Sequence, residues 1–96
     1  MEIVFHFKSE NFAKGKEILL ADDIVGRASL TFREGSIVKK DGYFCYLSGT
    51  DEQCKRAIEL VKDLADEVTD KTKSELINKI KEETEKAIEG FGNILG

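Results

Sequence analysis

Residues 43–64 change their hydrophobic period from two to 3.6 across a single turn. In the first part, YFCYL, successive side chains alternate between two faces as in a strand, whereas later apolar side chains recur at helical spacing. Thr50 and Gln53 mark the change as a capping box, in which the threonine hydroxyl accepts from the Gln53 amide and the glutamine side chain reaches back. The sequence therefore predicts a strand that runs directly into a helix.

The rest of the hydrophobic pattern predicts an α+β fold. Gly15 lies inside a predicted helix, where a glycine costs about 1 kcal/mol relative to alanine. We expect the element order β-α-β-β-β-α-α in a two-layer sandwich, with a mainly antiparallel sheet and helices mainly on one face. The predicted strands cover residues 2–8, 27–33, 36–40 and 43–47, and the predicted helices cover about residues 10–20, 51–68 and 72–90.

Asp41 and Gly42 are typical of a two-residue hairpin turn between the last two predicted strands. Such a turn places Ile37 opposite Tyr46 and leaves apolar side chains on both faces of the hairpin, with Phe44 beside Tyr46. A small sheet covered by helices on one side should be polar on the other. The second face therefore needs a cover, which is another subunit, a ligand or the C-terminal helix.

A second capping box, Thr72 with Glu75, begins the last predicted helix. Its apolar positions follow the heptad spacing of a helix that packs along another helix or on its own domain. Glycines are expected to end this helix near residue 90, so the apolar tail, residues 91–96, either tucks under the domain or binds a partner as a short hydrophobic hook. The predicted interface comprises Ile37, Phe44, Tyr46, Phe91 and Ile94.

A chain of 96 residues is long enough for one domain with a single core. We assign residues 1–96 to that domain, with residues 2–68 as its central part. No apolar run approaches the roughly 20 residues of a membrane helix, and the first residues do not resemble a signal peptide. We therefore expect a cytoplasmic protein with no membrane partner. Its abundance of Lys and Glu is a bias seen in thermophiles.

The net charge of −4 belongs to the C-terminal half. Residues 1–50 carry seven basic and seven acidic side chains, and residues 51–96 carry eight and twelve, which leaves −4. An acidic protein is a poor candidate for capturing nucleic acid over its whole surface, because neutralisation of phosphate dominates such binding. A basic surface could form only in the N-terminal half, where a mixed solvated surface is the simpler interpretation. The candidate nucleic-acid contacts are Arg27, Arg33, Lys39 and Lys40.

Signals for catalysis are sparse. His6 is the one imidazole, and its place in a strand between two phenylalanines favours a packing role over that of a general base. Cys45 and Cys54 lack the spacing and histidine companions of a zinc site. They are expected to be reduced core thiols, or a disulfide if the source is a hyperthermophile. We expect no enzyme activity, no cofactor and no metal.

Two resemblances to known families are present. Residues 46–64, YLSGTDEQCKRAIELVKDL, resemble the last strand and helix of KH RNA-binding domains, although the GxxG element that clamps a nucleic-acid backbone is absent. Residues 2–68 resemble the small dimerising subunit of the KEOPS tRNA-modification complex. That likeness rests on a strand (EIVFHFKS), a helix with an early Ala13, an acidic break at Asp22 and Asp23, further strands and a helix.

The leading hypothesis is a non-catalytic interaction subunit that self-associates as a homodimer or larger homo-oligomer and binds a protein partner in a tRNA-related assembly. The alternative is a KH-like RNA-binding module that uses the four basic residues named above. A small enzyme with a pocket around His6 is the third hypothesis.

Overall fold

The structure is a computed structural model that describes the backbone of residues 1–95 and the side chains of residues 1–84. It contains four strands and three helices in the order β-α-β-β-α-β-α, with two short 3₁₀ turns. The elements are β1 (Glu2–Phe7), α1 (Ser9–Ala21), the turn Val25–Arg27, β2 (Ser29–Glu34), the turn Gly35–Val38, β3 (Tyr43–Ser48), α2 (Asp51–Val61), β4 (Ala65–Glu67) and α3 (Lys71–Leu95).

The strands form one antiparallel sheet in the order β2-β3-β1-β4. The predicted α+β class, with helices packed on an antiparallel sheet, is confirmed. β1 is central and pairs along its whole length with β3, from Glu2 opposite Ser48 to Phe7 opposite Tyr43. The predicted switch from strand to helix is also confirmed, because the Gln53 amide donates to Thr50 Oγ1 (3.1 Å) and the Thr50 amide donates to Gln53 Oε1 (2.9 Å).

Helices α1 and α2 cover the first face of the sheet. The apolar side chains of β1 and β3 that point to this face are almost completely buried, and they meet the inner faces of both helices. The two cysteine thiols lie in this cluster and are free. Burial raises the pKa of Cys45 to about 12. The buried members are Ile3, Phe5, Phe7, Leu19, Val25, Cys45, Leu47, Cys54, Ala57 and Val61.

Helix α3 covers the second face. Its Leu76, Ile77 and Ile80 pack with Val4 and Phe44 of the sheet. An ion pair between Arg33 and Glu83, 2.8 Å from Nε to Oε2, joins β2 to the next turns of the helix. The C-terminal helix is thus the cover of this face, which was one of the three possibilities left open by the sequence.

Residues 36–40 do not form the predicted strand. They belong to a loop, residues 35–42, that the Gly35 amide closes by donating to Gly42 O (2.8 Å). The Lys40 amide returns to Gly35 O (2.9 Å), and Lys39 is left-handed with φ of 59°. A side chain at Gly35 would meet the carbonyl oxygens of Lys40 and Asp41 at 2.6 and 2.7 Å, so the turn requires glycine there.

The hairpin register therefore differs from the prediction. Glu34 lies opposite Tyr43, and Thr31 rather than Ile37 lies opposite Tyr46. From its place in the loop, Ile37 still packs against the second-face cluster together with Tyr46, and Val38 is buried in the same cluster.

Three features of the C-terminal half also differ. Helix α2 ends at Val61, and residues 65–67 form β4 instead of continuing the helix. Pairing with β1 explains this change, since the Val68 amide donates to Val4 O (2.8 Å).

Helix α3 begins at Lys71, and the Thr72 amide donates to Asp70 Oδ1 (2.9 Å), so Asp70 caps the helix in place of the predicted box of Thr72 with Glu75. Helix α3 continues to Leu95, past the end expected near residue 90. Each glycine costs a helix only about 1 kcal/mol, which does not by itself end it.

Candidate functional site

Three of the predicted interface residues lie beneath α3. Phe44 is only 2% exposed, and Ile37 and Tyr46 are half-buried. The Tyr46 hydroxyl donates to Glu2. Burial, the larger cause, and this hydrogen bond, the next, raise the pKa of Tyr46 to about 12. Phe44 cannot reach a partner while α3 is seated, so the apolar second face serves the core of the chain itself. Phe91 and Ile94 lie outside the described side chains.

The four basic residues proposed for nucleic-acid contact do not converge. Arg27 precedes β2, whereas Lys39 and Lys40 follow it in the loop 35–42. A six-residue strand separates its ends by about 17 Å. Arg33 lies between them and is engaged by Glu83. The fold therefore distributes these positive charges along β2 and does not gather them into one patch.

His6 fixes the loop 35–42 against the sheet. Its Nε2 donates to the carbonyl oxygen of Asp41 (2.7 Å), and its ring centroid lies 4.8 Å from that of Phe44. It borders an open cleft of about 440 Å³, with Lys40 and Asp66 among the other lining residues. Within residues 1–84, no group of three potential metal-ligating side chains occurs. His6 thus packs on Phe44 and binds the Asp41 carbonyl at the rim of this cleft.

The two edges of the sheet differ in length and charge. The β4 edge has only three residues, two of them acidic, Asp66 and Glu67. Short length and charge both oppose pairing with another chain. The β2 edge has six residues, SLTFRE, and contains no proline. Among the described residues, β3 is the one strand that pairs with β2. The β2 edge is therefore the better template for strand addition.

Hydrogen bonding in the hairpin determines which groups of β2 point outward. Gly35 donates to its opposite residue Gly42, and hydrogen-bonded pairs alternate with non-bonded pairs along an antiparallel ladder. Leu30, Phe32 and Glu34 therefore direct their amides and carbonyls away from β3. A side-chain contact agrees with this alternation, because Arg33 Nη1 donates at 2.8 Å to Phe32 O, which therefore points away from β3.

Half-buried side chains flank the open edge on both faces. On the first face, Leu30 and Phe32 pack against the helical core, and Lys16 Nζ lies 5.3 Å from the centroid of the Phe32 ring. On the second face, Thr31 lies beside Arg33. An added strand would gain main-chain hydrogen bonds along the edge and side-chain contacts on both faces.

Sequence analysis predicted β2 as a strand but did not identify it as a binding site. Its alternating side chains indicate a strand, whereas its place at the edge depends on the strand order. Comparison with protein-family models, curated proteins and solved structures gives no match for this chain. No described helix is long and apolar enough to cross a membrane.

Proposed function

We propose that this protein is a non-catalytic interaction subunit that self-associates. The observation that carries this proposal is the open β2 edge, with the outward backbone groups of Leu30, Phe32 and Glu34. An exposed strand edge binds another strand through main-chain hydrogen bonds, and alternate side chains provide specificity. This site replaces the second sheet face as the proposed interface, because α3 covers that face.

The proposal includes membership of a larger, tRNA-related assembly. The resemblance of residues 2–68 to the small dimerising KEOPS subunit supports a tRNA-related complex and a protein partner. The C-terminal helix is an addition to that resemblance, and its described part closes the second sheet face. A protein partner would therefore bind at an edge or on a helical surface.

Glu34→Pro tests the β2 edge as the binding site. Glu34 is exposed, with φ of −69° and ψ of 146°, which a proline adopts without strain. Its amide points outward, so proline removes a donor from the open edge and leaves the β2–β3 ladder intact. Glu34→Ala is the matched control, because it removes the same charge and keeps the amide.

Light scattering over a range of protein concentrations should give at least a dimeric mass for the natural sequence. Glu34→Pro should weaken association about fivefold or more, as expected for loss of a hydrogen bond of about 1 kcal/mol. Glu34→Ala should associate like the natural protein. A monomeric mass for the natural protein at hundreds of micromolar would refute self-association. Equal association of the proline and alanine variants would exclude the β2 edge.

A further inference from the structure

We infer that the strand added to β2 is β2 of a second copy of this chain, paired antiparallel about a two-fold axis at Thr31. This inference rests on the proposed function and adds the identity of the partner and the register of the contact. The result would be one continuous sheet shared by both copies. The inference follows from which residues of β2 direct their backbone groups outward, here called the bonding phase, and from the order of the side chains along the strand.

The bonding phase restricts the registers that a two-fold axis allows. Outward-facing residues must bond with outward-facing residues of the second copy. With the axis at Thr31, Leu30 of each copy lies opposite Phe32 of the other, and these residues exchange amide-to-carbonyl hydrogen bonds. Thr31 then faces its own counterpart in a non-bonded pair, and the outward amide of Glu34 lies opposite the carbonyl of the extended residue Ala28 of the second copy. Both copies keep their α1–α2 faces on the same side of the sheet.

Strand length and side-chain chemistry select this register over its neighbours. It places Leu30 against Phe32 on the first face and threonine against threonine on the second, and both are favourable cross-strand pairs. Moving the axis to Leu30 would pair only residues 29–31 of β2. Moving the axis to Phe32 would place Leu30 opposite the charged Glu34. Moving it one step further would place Arg33 opposite Arg33, and like charges directly opposite destabilise a sheet.

The register with its axis at Thr31 also keeps like charges on the two strands apart. Arg33 lies opposite Ser29 of the second copy, so neither strand end places like charges together. Leu30 and Phe32 are only half-buried in the single chain, and the contact would cover the part that remains exposed. Length, bonding phase and side-chain order thus agree on one partner, which is the same strand.

A charge exchange at Thr31 tests the register. Thr31→Lys alone and Thr31→Glu alone place like charges directly across the axis, and each should weaken dimerisation about fivefold or more. A mixture of the two variants should restore the dimer, because opposite charges then face each other. Thr69→Lys and Thr69→Glu are matched controls, since Thr69 is exposed and follows β4 at the other edge. Circular dichroism verifies that each variant is folded.

A cysteine scan along β2 provides a second measurement. Opposed Cα atoms in a non-bonded antiparallel pair lie about 4.5 Å apart, within the range of a disulfide. Thr31→Cys should therefore cross-link two copies under mild oxidation. Ser29→Cys is the control on the same face, because its own counterpart would lie roughly 14 Å away. The natural cysteines are fully buried and serve as an unreactive background.

The outcomes separate this inference from the proposed function. A monomeric natural protein defeats both. A dimer that survives Thr31→Lys and Thr31→Glu unchanged, or that cross-links through Ser29→Cys but not Thr31→Cys, overturns the register while self-association stands. Restoration only in the mixed sample, together with cross-linking at Thr31, supports the two-fold β2 contact.

Discussion

At the residue scale, Gly15 shows how a tertiary contact overrides helix propensity. A Cβ at Gly15 would lie 2.2 Å from Cε1 of Phe7, whose ring is fully buried. Propensity alone predicts that Gly15→Ala stabilises α1 by about 1 kcal/mol, whereas overpacking a core costs about 1–3 kcal/mol. We expect the clash to dominate and Gly15→Ala to lower the free energy of unfolding, as measured by urea denaturation.

Lys14→Ala is the matched control for this substitution, since it introduces the same residue at an exposed position of the same helix. Its effect should stay within about 0.5 kcal/mol of the natural protein. A Gly15→Ala variant more stable than the natural protein would show that the Phe7 ring moves without cost, contrary to the packing described.

Asp22 links the end of α1 to α2 and should make stability depend on pH. Its carboxylate accepts from the amides of Ile24 (3.1 Å) and Val25 (3.0 Å) and pairs with Arg56 (3.1 Å). The bond from the Val25 amide, aided by Arg56, holds the pKa of Asp22 below its usual 3.8. The ionised group therefore stabilises the folded chain above the unfolded-state pKa, and this contribution is lost as the pH falls through the folded pKa.

Asp22→Asn should accordingly lower the melting temperature at pH 7. The difference from the natural protein should shrink as the pH falls below about 3.8, where the natural side chain also becomes neutral. Melting curves of both proteins from pH 7 to pH 2 measure this effect. Asp23→Asn is the matched control at the exposed neighbouring position. A difference that persists unchanged at the lowest pH would exclude a role for the charge.

At the element scale, α3 covers the hydrophobic cluster on the second face of the sheet. Leu76 is fully buried against the sheet, whereas Asn78, two residues away on the same helix, is exposed. Leu76→Ala should reduce the free energy of unfolding by about 2–5 kcal/mol, a large fraction of the 5–15 kcal/mol typical of a domain. Asn78→Ala should change it by less than about 0.5 kcal/mol. Equal denaturation midpoints for the two variants would show that α3 does not stabilise the sheet.

The elements that sequence analysis predicted are those specified by local signals. The strand-to-helix switch at residues 43–61 needs only alternation and a capping box. The loop 35–42 depends instead on the distant pairing of Gly35 with Gly42, so its short apolar run resembled a strand. β4 is too short and too acidic to be recognised without its partner β1. The candidate site was missed for the same reason, because an edge is a property of the whole sheet.

At the scale of the whole molecule, Arg33 connects the open edge to the C-terminal helix. Its guanidinium donates to Phe32 O through Nη1 and to Glu83 through Nε, each at 2.8 Å. In the inferred dimer, Phe32 O must accept from the Leu30 amide of the second copy. Arg33 therefore competes with the partner strand for this acceptor, as a charged residue that guards an edge does.

Removing this competitor should strengthen self-association. We expect Arg33→Ala to lower the dimer dissociation constant about fivefold, since one hydrogen bond of about 1 kcal/mol no longer has to be exchanged. Glu83→Ala is the matched control, because it breaks the same exposed ion pair, which itself contributes little, but leaves the guanidinium at the edge. Sedimentation equilibrium of the three proteins measures the constants. If Arg33→Ala dimerises no more tightly than Glu83→Ala, Arg33 does not restrict access to Phe32 O, and the edge is controlled by some other group on its surface.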